Sequence, residues 1–398
     1  MLLLMAALGV PAFAQQPERL DLPTALERAQ RDNLQLAAAR ARRAVALAGI
    51  RIAGQIPNPT VTFGASRDIP HQTLRLEQPL EIGLQRGRRI DLAREERALI
   101  EVEISAAERE VRRAARESFF RLALAQANSE LQDGIVKLAQ HLRQIAQDRF
   151  EAGDVAQLEV MQAEVEVFRA LAVFQVAQQE ERVAASQFNV LLNQPAGKSW
   201  LLTGWLERLP QTLPVSDLVE QAAAANAALQ HLSQEQRIEE RRRALLRAQR
   251  IPTLGVQIGG DFNAQPDFQT GLAGQVSATV PLVSRNPGEI AQSLATQQAL
   301  DLALAAERRS VAGEVEAAWL EVAARRTQVD VYREQVVPSA RRVAAMAEES
   351  YRAGRSNILT VLDAQRRVSD TEHDYLQSLF GLQAAFAALE QVVGTPLD

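Results

Sequence analysis

The segment S-Y-R-A-G-R-S-N-I-L-T-V-L-D-A-Q-R-R occupies residues 350–367 and places a glycine between two long helical patterns. A weaker copy, F-E-A-G-D-V-A-Q-L-E-V-M-Q-A, occupies residues 150–163. On both sides of Gly153 and of Gly354, apolar residues recur at spacings of three and four, which marks one face of a helix. Each copy therefore predicts a tight turn between two long antiparallel helices, that is, a helical hairpin.

The two copies belong to an internal repeat that covers most of the chain. A shift of 201 positions superimposes Gly153 on Gly354, and a shift of 193 positions superimposes Asn33 on Asn226. A repeat of this length indicates two successive halves with the same architecture. The predicted divisions are a signal peptide at residues 1–14, a first repeat at 15–195, a linker or equatorial segment at 196–214 and a second repeat at 215–398.

The composition excludes several classes of protein. The 398 residues are 47% hydrophobic but only 5% aromatic, which favours small side chains at close helix–helix contacts over one large core. The net charge of -5 provides no general attraction for nucleic acid. Because there is no cysteine, the sequence predicts no disulfide, no cysteine metal site and no thiol nucleophile.

The N-terminus has the pattern of a secretory signal. Residues 1–10 are apolar, and P-A-F-A at residues 11–14 ends in an A-x-A cleavage pattern. The basic residues that usually precede the apolar region are missing, so the true start codon is left open. A short buried helix is the alternative. From this signal we expect an exported protein. No other stretch has the ~20 apolar residues of a transmembrane helix, so no helical membrane span is expected.

Each half also contains a pair of alternating segments, at about residues 60–82 and 253–283. Apolar and polar residues alternate in them, as in the neighbours Leu74 and Arg75. This period of two predicts antiparallel strands with one apolar face. The loop of the second pair, at residues 261–270, is expected to be longer than its counterpart in the first half.

The number of predicted strands limits how the sheet can be used. A sheet of four strands has two open edges, which a lipid bilayer does not tolerate. If the strands lie in a bilayer, several copies of the chain must close one barrel, and three copies would supply twelve strands. A soluble sheet is the alternative from the pattern alone.

The helical hairpins are expected to be far longer than those of ordinary globular domains, at about residues 86–194 and 287–394. The first long helix has no proline and would extend for roughly 95 Å. In the second half, Val329, Tyr332 and Val336 continue a heptad spacing, and Pro338 is expected to kink the helix.

With these features the chain resembles the outer-membrane efflux channels of the TolC family. The resemblance extends over essentially everything after the signal and is carried by the turn motif Y-x-x-G-x-x-x-x-L-x-V-L-D-A-Q at residues 351–365, its weaker copy and the strand pairs. Within the family, P-N-P at residues 57–59 and E-Q-P-L-E-I-G-L-Q-R-G-R-R-I at residues 77–90 are most similar to the CzcC-type, heavy-metal branch.

The resemblance implies a mostly α fold with a small β part. A long coiled-coil α-helical barrel would continue into a transmembrane β-barrel that the protomers of a homotrimer share. It implies a passive export duct that works with a periplasmic adaptor (membrane fusion protein) and an inner-membrane pump of RND type, in contact with outer-membrane lipid. The cargo would be heavy-metal cations of the Co/Zn/Cd or Cu/Ag type. Efflux of drugs or organic solutes, or type I secretion, is the alternative within the same fold.

The resemblance also implies candidate residues for a gate at the periplasmic turns. Glu159 follows the first turn, Tyr351 precedes the second, and Asp363 is the aspartate of V-L-D. The family's gate arginine aligns with Ser356, one place from Arg355, which makes Arg355 the basic candidate. In the family, such residues link neighbouring helices and hold the pore shut. Solvated helix ends are the alternative.

The sequence predicts no enzyme, no cofactor and no resident metal site. It contains no Walker loop, no G-x-S-x-G and no Rossmann fingerprint. Its histidines are isolated, and the one helical cluster, Asp370, His373 and Asp374, is more simply interpreted as a solvated face. A periplasmic coiled-coil adaptor or spacer is the alternative from another class, but it would leave the strand pairs without a use.

Overall fold

The computed structural model describes residues 18–203, 213–283 and 285–397, which are mainly α-helical. The helices are α1 (Leu22–Asp32), α2 (Leu34–Ala53), α3 (Gln85–Glu151), α4 (Gln157–Leu191), α5 (Val215–Ala225), α6 (Ala227–Ala248), α7 (Pro287–Val331), α8 (Val337–Arg352) and α9 (Ile358–Val393). The strands are β1 (Glu18–Asp21), β2 (Thr60–Ala65), β3 (Gln72–Leu80), β4 (Trp200–Thr203), β5 (Thr253–Ala264) and β6 (Phe268–Thr279). A π-helical turn at Tyr332–Val336, hereafter the π-turn, separates α7 from α8.

The predicted signal peptide and residues 204–212 of the predicted linker lie outside the described residues. Within the described ranges, no helix has both the length and the apolar composition that crossing a membrane requires.

The chain forms two compact units, and neither coincides with one half of the sequence. The first unit contains the described parts of Met1–Leu36, Glu108–Ala222 and Gly313–Asp398. The second contains Ala37–Ala107 and the described part of Ala223–Ala312. Each repeat therefore contributes to both units.

The turns of the two helical hairpins are closed by the same hydrogen bonds. Gly153 and Gly354 have φ angles of 82° and 70°, a left-handed conformation that glycine adopts without a Cβ penalty. The residue after Gly153 donates its N–H to the carbonyl of Arg149 at 2.9 Å, and the residue after Gly354 donates to Ser350, also at 2.9 Å. The repeated sequence motif thus corresponds to a repeated helix C-cap.

The four strands β2, β3, β5 and β6 form one antiparallel sheet in that order, with β2 and β6 at its edges. In its register, Leu76 lies between Val61 and Ile258. The exposed large apolar side chains on the face that carries Leu76 are Val61, Phe63, Leu74, Leu76, Leu80, Val256, Ile258, Leu272 and Val276. Because charged residues such as Arg75 and Glu77 alternate with them, the prediction of strands with one apolar face is confirmed.

A glycine on the polar face makes room for an ion pair. A Cβ atom on Gly259 would lie 2.2 Å from the carbonyl oxygen of Leu74 and 2.7 Å from the Cδ atom of Arg75, so a larger residue does not fit. Arg75 reaches the carboxylate of Asp261 at 2.5 Å and donates to the carbonyl of Gly260 at 3.0 Å. The pair ties β3 to β5 on the polar side of the sheet.

The prediction of a long loop at residues 261–270 is wrong. β5 continues to Ala264 and β6 begins at Phe268, so both strands have 12 residues. The segment contains Asp, Asn and Pro, which favour turns in isolation, but the ladder to β6 extends through Asp261 and Phe262 as far as Ala264, which pairs with Phe268. Only residues 265–267 form the turn.

The arginines of the Q-R-G-R-R segment form the junction between sheet and helices in the second unit. Arg89 makes two hydrogen bonds to the carboxylate of Glu81 and donates to the carbonyl of Ala53 at 3.3 Å. Arg86 donates to the carbonyl of Gly54 at 2.7 Å. The last carbonyls of a helix have no partner within it. The first turn of α3 therefore stabilises the end of α2.

The described part of the predicted linker is packed into the first unit. Its strand β4 pairs in parallel with β1. Trp200 is 3% exposed, and its Nε1–H donates to the Asn189 side-chain oxygen at 2.6 Å. The amide of Asn189 donates in turn to the carbonyl of Lys198 at 2.8 Å. A buried polar network therefore anchors this segment. The proline and glycine residues of the segment predicted a linker and gave no sign of this network.

The heptad positions predicted at Tyr332 and Val336 are wrong, because both residues lie in the π-turn, where no side chain is buried. From Val315 onward, the buried residues of this helix are Val315, Val322, Val329, Val337, Ala344 and Tyr351. Their spacing is seven except between Val329 and Val337, where it is eight. The disturbance predicted at Pro338 takes the form of the π-turn before it, because a proline ring clashes with the carbonyl four residues earlier in an α-helix.

Candidate gate at the hairpin turns

The two hairpin turns of the first unit meet around a small apolar cluster. Its buried members are Leu142, Ala146, Ala163, Tyr351, Ile358, Val361 and Leu362. They come from α3, α4, α8 and α9, so both repeats contribute. Asn357 starts α9 by accepting the Thr360 N–H at 3.1 Å, which places the first apolar turn of α9 in the cluster.

Tyr351 links α8 to both helices of the first hairpin. Its side chain is fully buried, and its hydroxyl donates to Oε2 of Glu159 at 3.1 Å. The guanidinium of Arg149 lies 4.7 Å from the ring centre and donates to the Tyr351 carbonyl at 3.0 Å. Burial, together with the hydrogen bond to the Glu159 carboxylate, raises the pKa of Tyr351. The hydroxyl therefore stays a neutral donor at neutral pH.

A second polar link joins α4 to α9. Arg366 forms an ion pair with Glu166, and its Nε donates to the second carboxylate oxygen at 3.3 Å. The Glu166 side chain is only 16% exposed. The ion pair raises the pKa of Arg366, since the hydrogen bond to Glu166 favours the charged guanidinium. This partly buried geometry is more favourable than that of an ordinary surface pair.

The structure brings together two of the four predicted gate residues. Glu159 and Tyr351 are hydrogen-bonded, as described. The carboxylate of Asp363 is 68% exposed and lies 3.7 Å from Arg366, on its own helix. Arg355 is exposed directly after the turn glycine. Among the contacts that the structure describes within this chain, none made by the side chains of Asp363 or Arg355 joins the two hairpins.

Three residues of these links were missed at the level of sequence: Arg149, Glu166 and Arg366. One signal for the ion pair was present. Glu166 lies 13 residues after Gly153 and Arg366 lies 12 residues after Gly354, so opposite charges occur at nearly equal distances from the two turns. Arg149 precedes its glycine by four residues and had no comparable signal.

The described residues contain no group of three or more His, Asp or Glu side chains arranged to hold a metal ion. His373 contacts the side-chain oxygen of Asn128 at 3.1 Å, and His141 lies 3.3 Å from a guanidinium nitrogen of Arg352. The links at the turns are hydrogen bonds and ion pairs between helices. Such bonds can form and break reversibly, so the arrangement is able to hold two hairpins together and release them.

An apolar-faced antiparallel sheet with two open edges, combined with long heptad-patterned hairpins, is the arrangement expected of a subunit of an outer-membrane channel. The chain belongs to the outer membrane efflux protein family, whose profile matches residues 25–193 and 218–395. This is a family of channels and not of enzymes. Its members are trimers that work with an adaptor and an inner-membrane pump, and they extend from the outer membrane into the periplasm.

Individual relatives agree with the family assignment. The cobalt-zinc-cadmium resistance protein CzcC of Cupriavidus metallidurans is 26% identical over 392 residues, which cover 97% of this chain and 93% of CzcC. The fold is similar to that of CusC, with a TM-score of 0.78, 16% identity and coverage of 94% of this chain and 92% of CusC. VceC of Vibrio cholerae has a TM-score of 0.75, 16% identity and coverage of 95% and 97%. The resemblance to the TolC family and the predicted fold class are confirmed.

Proposed function

We propose that this protein is the export duct of a tripartite system that removes heavy-metal cations. In this proposal, a homotrimer in outer-membrane lipid receives its cargo from a periplasmic adaptor and an inner-membrane pump of RND type. The observation that carries the metal cargo is the similarity to CzcC, because it extends over nearly the whole of both chains. The protein would act passively, as a conduit.

A deletion strain tests the cargo. We expect the strain to become sensitive to zinc, cobalt, cadmium or copper, with unchanged tolerance to a panel of hydrophobic drugs. The gene supplied on a plasmid should restore metal tolerance, and the empty plasmid should not. Sensitivity to drugs alone would reject the metal cargo and support efflux of organic solutes through the same fold.

We further propose that the cluster at the hairpin turns is the closed periplasmic gate. The links Tyr351–Glu159 and Arg366–Glu166, hereafter the latch, join the first hairpin to the second around buried apolar side chains. Opening would require the latch to break and the hairpins to separate. Arg149 supports the closed form by covering one face of the Tyr351 ring.

Removing the latch is expected to make the channel leaky. In the variant Tyr351→Phe with Glu166→Gln, the loss of two hydrogen bonds of about 1 kcal/mol each favours the open form by roughly 30-fold. The measurement is single-channel conductance of purified trimers in planar lipid bilayers. Asp154→Asn is the matched control, because Asp154 is exposed at the first turn and is not part of the latch, and it should behave like the wild type. Equal conductance of the latch variant and the control would contradict the gate.

A further inference from the structure

The π-turn distinguishes the long helix of the second repeat from that of the first. It consists of five residues, and the N–H of Val337 donates to the carbonyl of Tyr332, five residues earlier. The next residue, Pro338, has no N–H to donate. The shift of 201 positions places the corresponding part of the first repeat, residues 131–135, inside the uninterrupted helix α3. The π-turn is therefore a local feature of one repeat and not a consequence of helix length.

The π-turn keeps the buried face of this helix in register. One residue inserted into an α-helix rotates everything after it by about 100°. The spacing of eight between Val329 and Val337 contains such an insertion, yet both side chains are buried, with 0% and 7% exposure. The wider π-turn absorbs the extra residue, so α7 and α8 present their valines on the same side.

Packing around the π-turn is loose on both helices of the hairpin. No side chain of the π-turn is buried, although α9 contacts it. The buried side chains of α9 fall into two groups, at residues 358–364 and 378–393, and residues 365–377 contribute none. A cavity of about 810 Å³ lies along this unburied part of α9, with α3 and α4 on its other walls. Along this stretch, α9 is therefore only loosely packed against the α3–α4 hairpin.

Beyond the π-turn the hairpin is tied to itself. Arg341 of α8 forms an ion pair with Glu372 of α9 at 2.5 Å, and the Glu372 side chain is only 18% exposed. Tyr351 at the end of α8 packs in one cluster with Ile358 and Leu362 of α9. The part of the hairpin between the π-turn and Gly354 therefore has the contacts of a single body.

We propose that the π-turn is the pivot on which this part of the α8–α9 hairpin swings away from the α3–α4 hairpin when the channel opens. The inference rests on the proposed gate, whose latch would be released by the swing. A π-turn suits this role because its widened backbone already lacks regular α-helical hydrogen bonds. The heptad contacts of α7 before the π-turn stay intact during such a movement, since the bend is confined to five residues.

Straightening the π-turn tests the pivot. Deletion of Glu334 together with Pro338→Ala restores a spacing of seven and permits a continuous α-helix. The deletion is introduced into full-length trimers that also carry Tyr351→Phe and Glu166→Gln. We expect it to suppress the leak of the latch variant to within about threefold of the wild-type conductance, because the hairpin can no longer swing. Glu334→Ala, which changes the same residue without shortening the helix, is the matched control and should leave the leak unchanged.

The two proposals fail in different ways. A latch variant without increased conductance contradicts the gate. A leak that survives the deletion overturns the pivot and leaves the gate intact.

A second measurement covers the case in which the deletion prevents folding. The chain has no cysteine, so spin labels can be placed on Glu151→Cys with Leu359→Cys, at the turns, and on Gln187→Cys with Glu316→Cys, before the π-turn. In the latch variant we expect the first distance to change and the second to stay constant. Equal changes in both distances would overturn the pivot.

Discussion

Replacing Glu390 by alanine is expected to lower the free energy of unfolding by about 3–5 kcal/mol, because it removes the carboxylate that forms an ion pair with a buried arginine. Oε2 of Glu390 accepts from Arg116 at 2.7 Å, and the two side chains are only 10% and 4% exposed. The other carboxylate oxygen accepts the N–H of Leu397 at 2.9 Å. The guanidinium also lies 4.9 Å from the ring centre of Phe386. This pair joins α3 to α9 inside the first unit.

Urea unfolding of the purified protein measures this cost. The matched control is Glu321→Ala, which removes an exposed pair with Arg325 and should cost only about 0.5 kcal/mol. The double variant Arg116→Met with Glu390→Leu should recover most of the lost stability, since it replaces both charges of the pair by apolar side chains. If Glu390→Ala costs no more than Glu321→Ala, the pair is not the stabilising contact that its burial indicates.

Placing glutamates on the outer stripe of α4 is expected to dissociate the trimer. The buried side chains of α4 face its own chain, whereas a second heptad-spaced apolar set is 56–71% exposed. This outer stripe consists of Leu158, Met161, Val165, Phe168, Val176, Val183 and Val190. Each large apolar side chain buried between protomers is worth about 1.5–3 kcal/mol. Val165→Glu with Phe168→Glu would lose this contribution and bury charge at every interface.

Light scattering of the detergent-solubilised protein gives the oligomeric state. The glutamate variant should be largely monomeric with unchanged helical circular dichroism. Val165→Thr with Phe168→Tyr, which keeps the size of both side chains, should remain trimeric. A trimer that tolerates both glutamates would show that the outer stripe of α4 lies outside the interface.

The sequence predicted the regular helices and strands of the fold better than the irregular π-turn. Heptad spacing located the helical hairpins, and alternation located the strands, because both signals are local and periodic. Tyr332 and Val336 were misplaced for the same reason, since they are apolar and continue the spacing of three and seven from Val329. The proline two positions after Val336 excludes that continuation, but only the structure shows that one extra residue is absorbed.

The candidate gate could be predicted only in part. A motif located the turns and supplied Glu159 and Tyr351, which the structure brings within hydrogen-bonding distance. The pair Glu166–Arg366 spans 200 residues, and no local pattern determines which charged side chains of two helices face each other. The strand β4 was missed because four residues in a segment rich in Gly and Pro carry too little periodicity.

The two open edges of the sheet have a consequence for biogenesis. A newly exported protomer presents the unpaired backbone of β2 and β6 together with an apolar face, so it is prone to join any other exposed strand. The edge strands find their final partners only when further copies of the chain bind. Folding is therefore coupled to assembly, and the stability of the folded protein depends on protomer concentration. The apparent melting temperature should therefore rise with protein concentration, and periplasmic holdases would be needed until the last copy is in place.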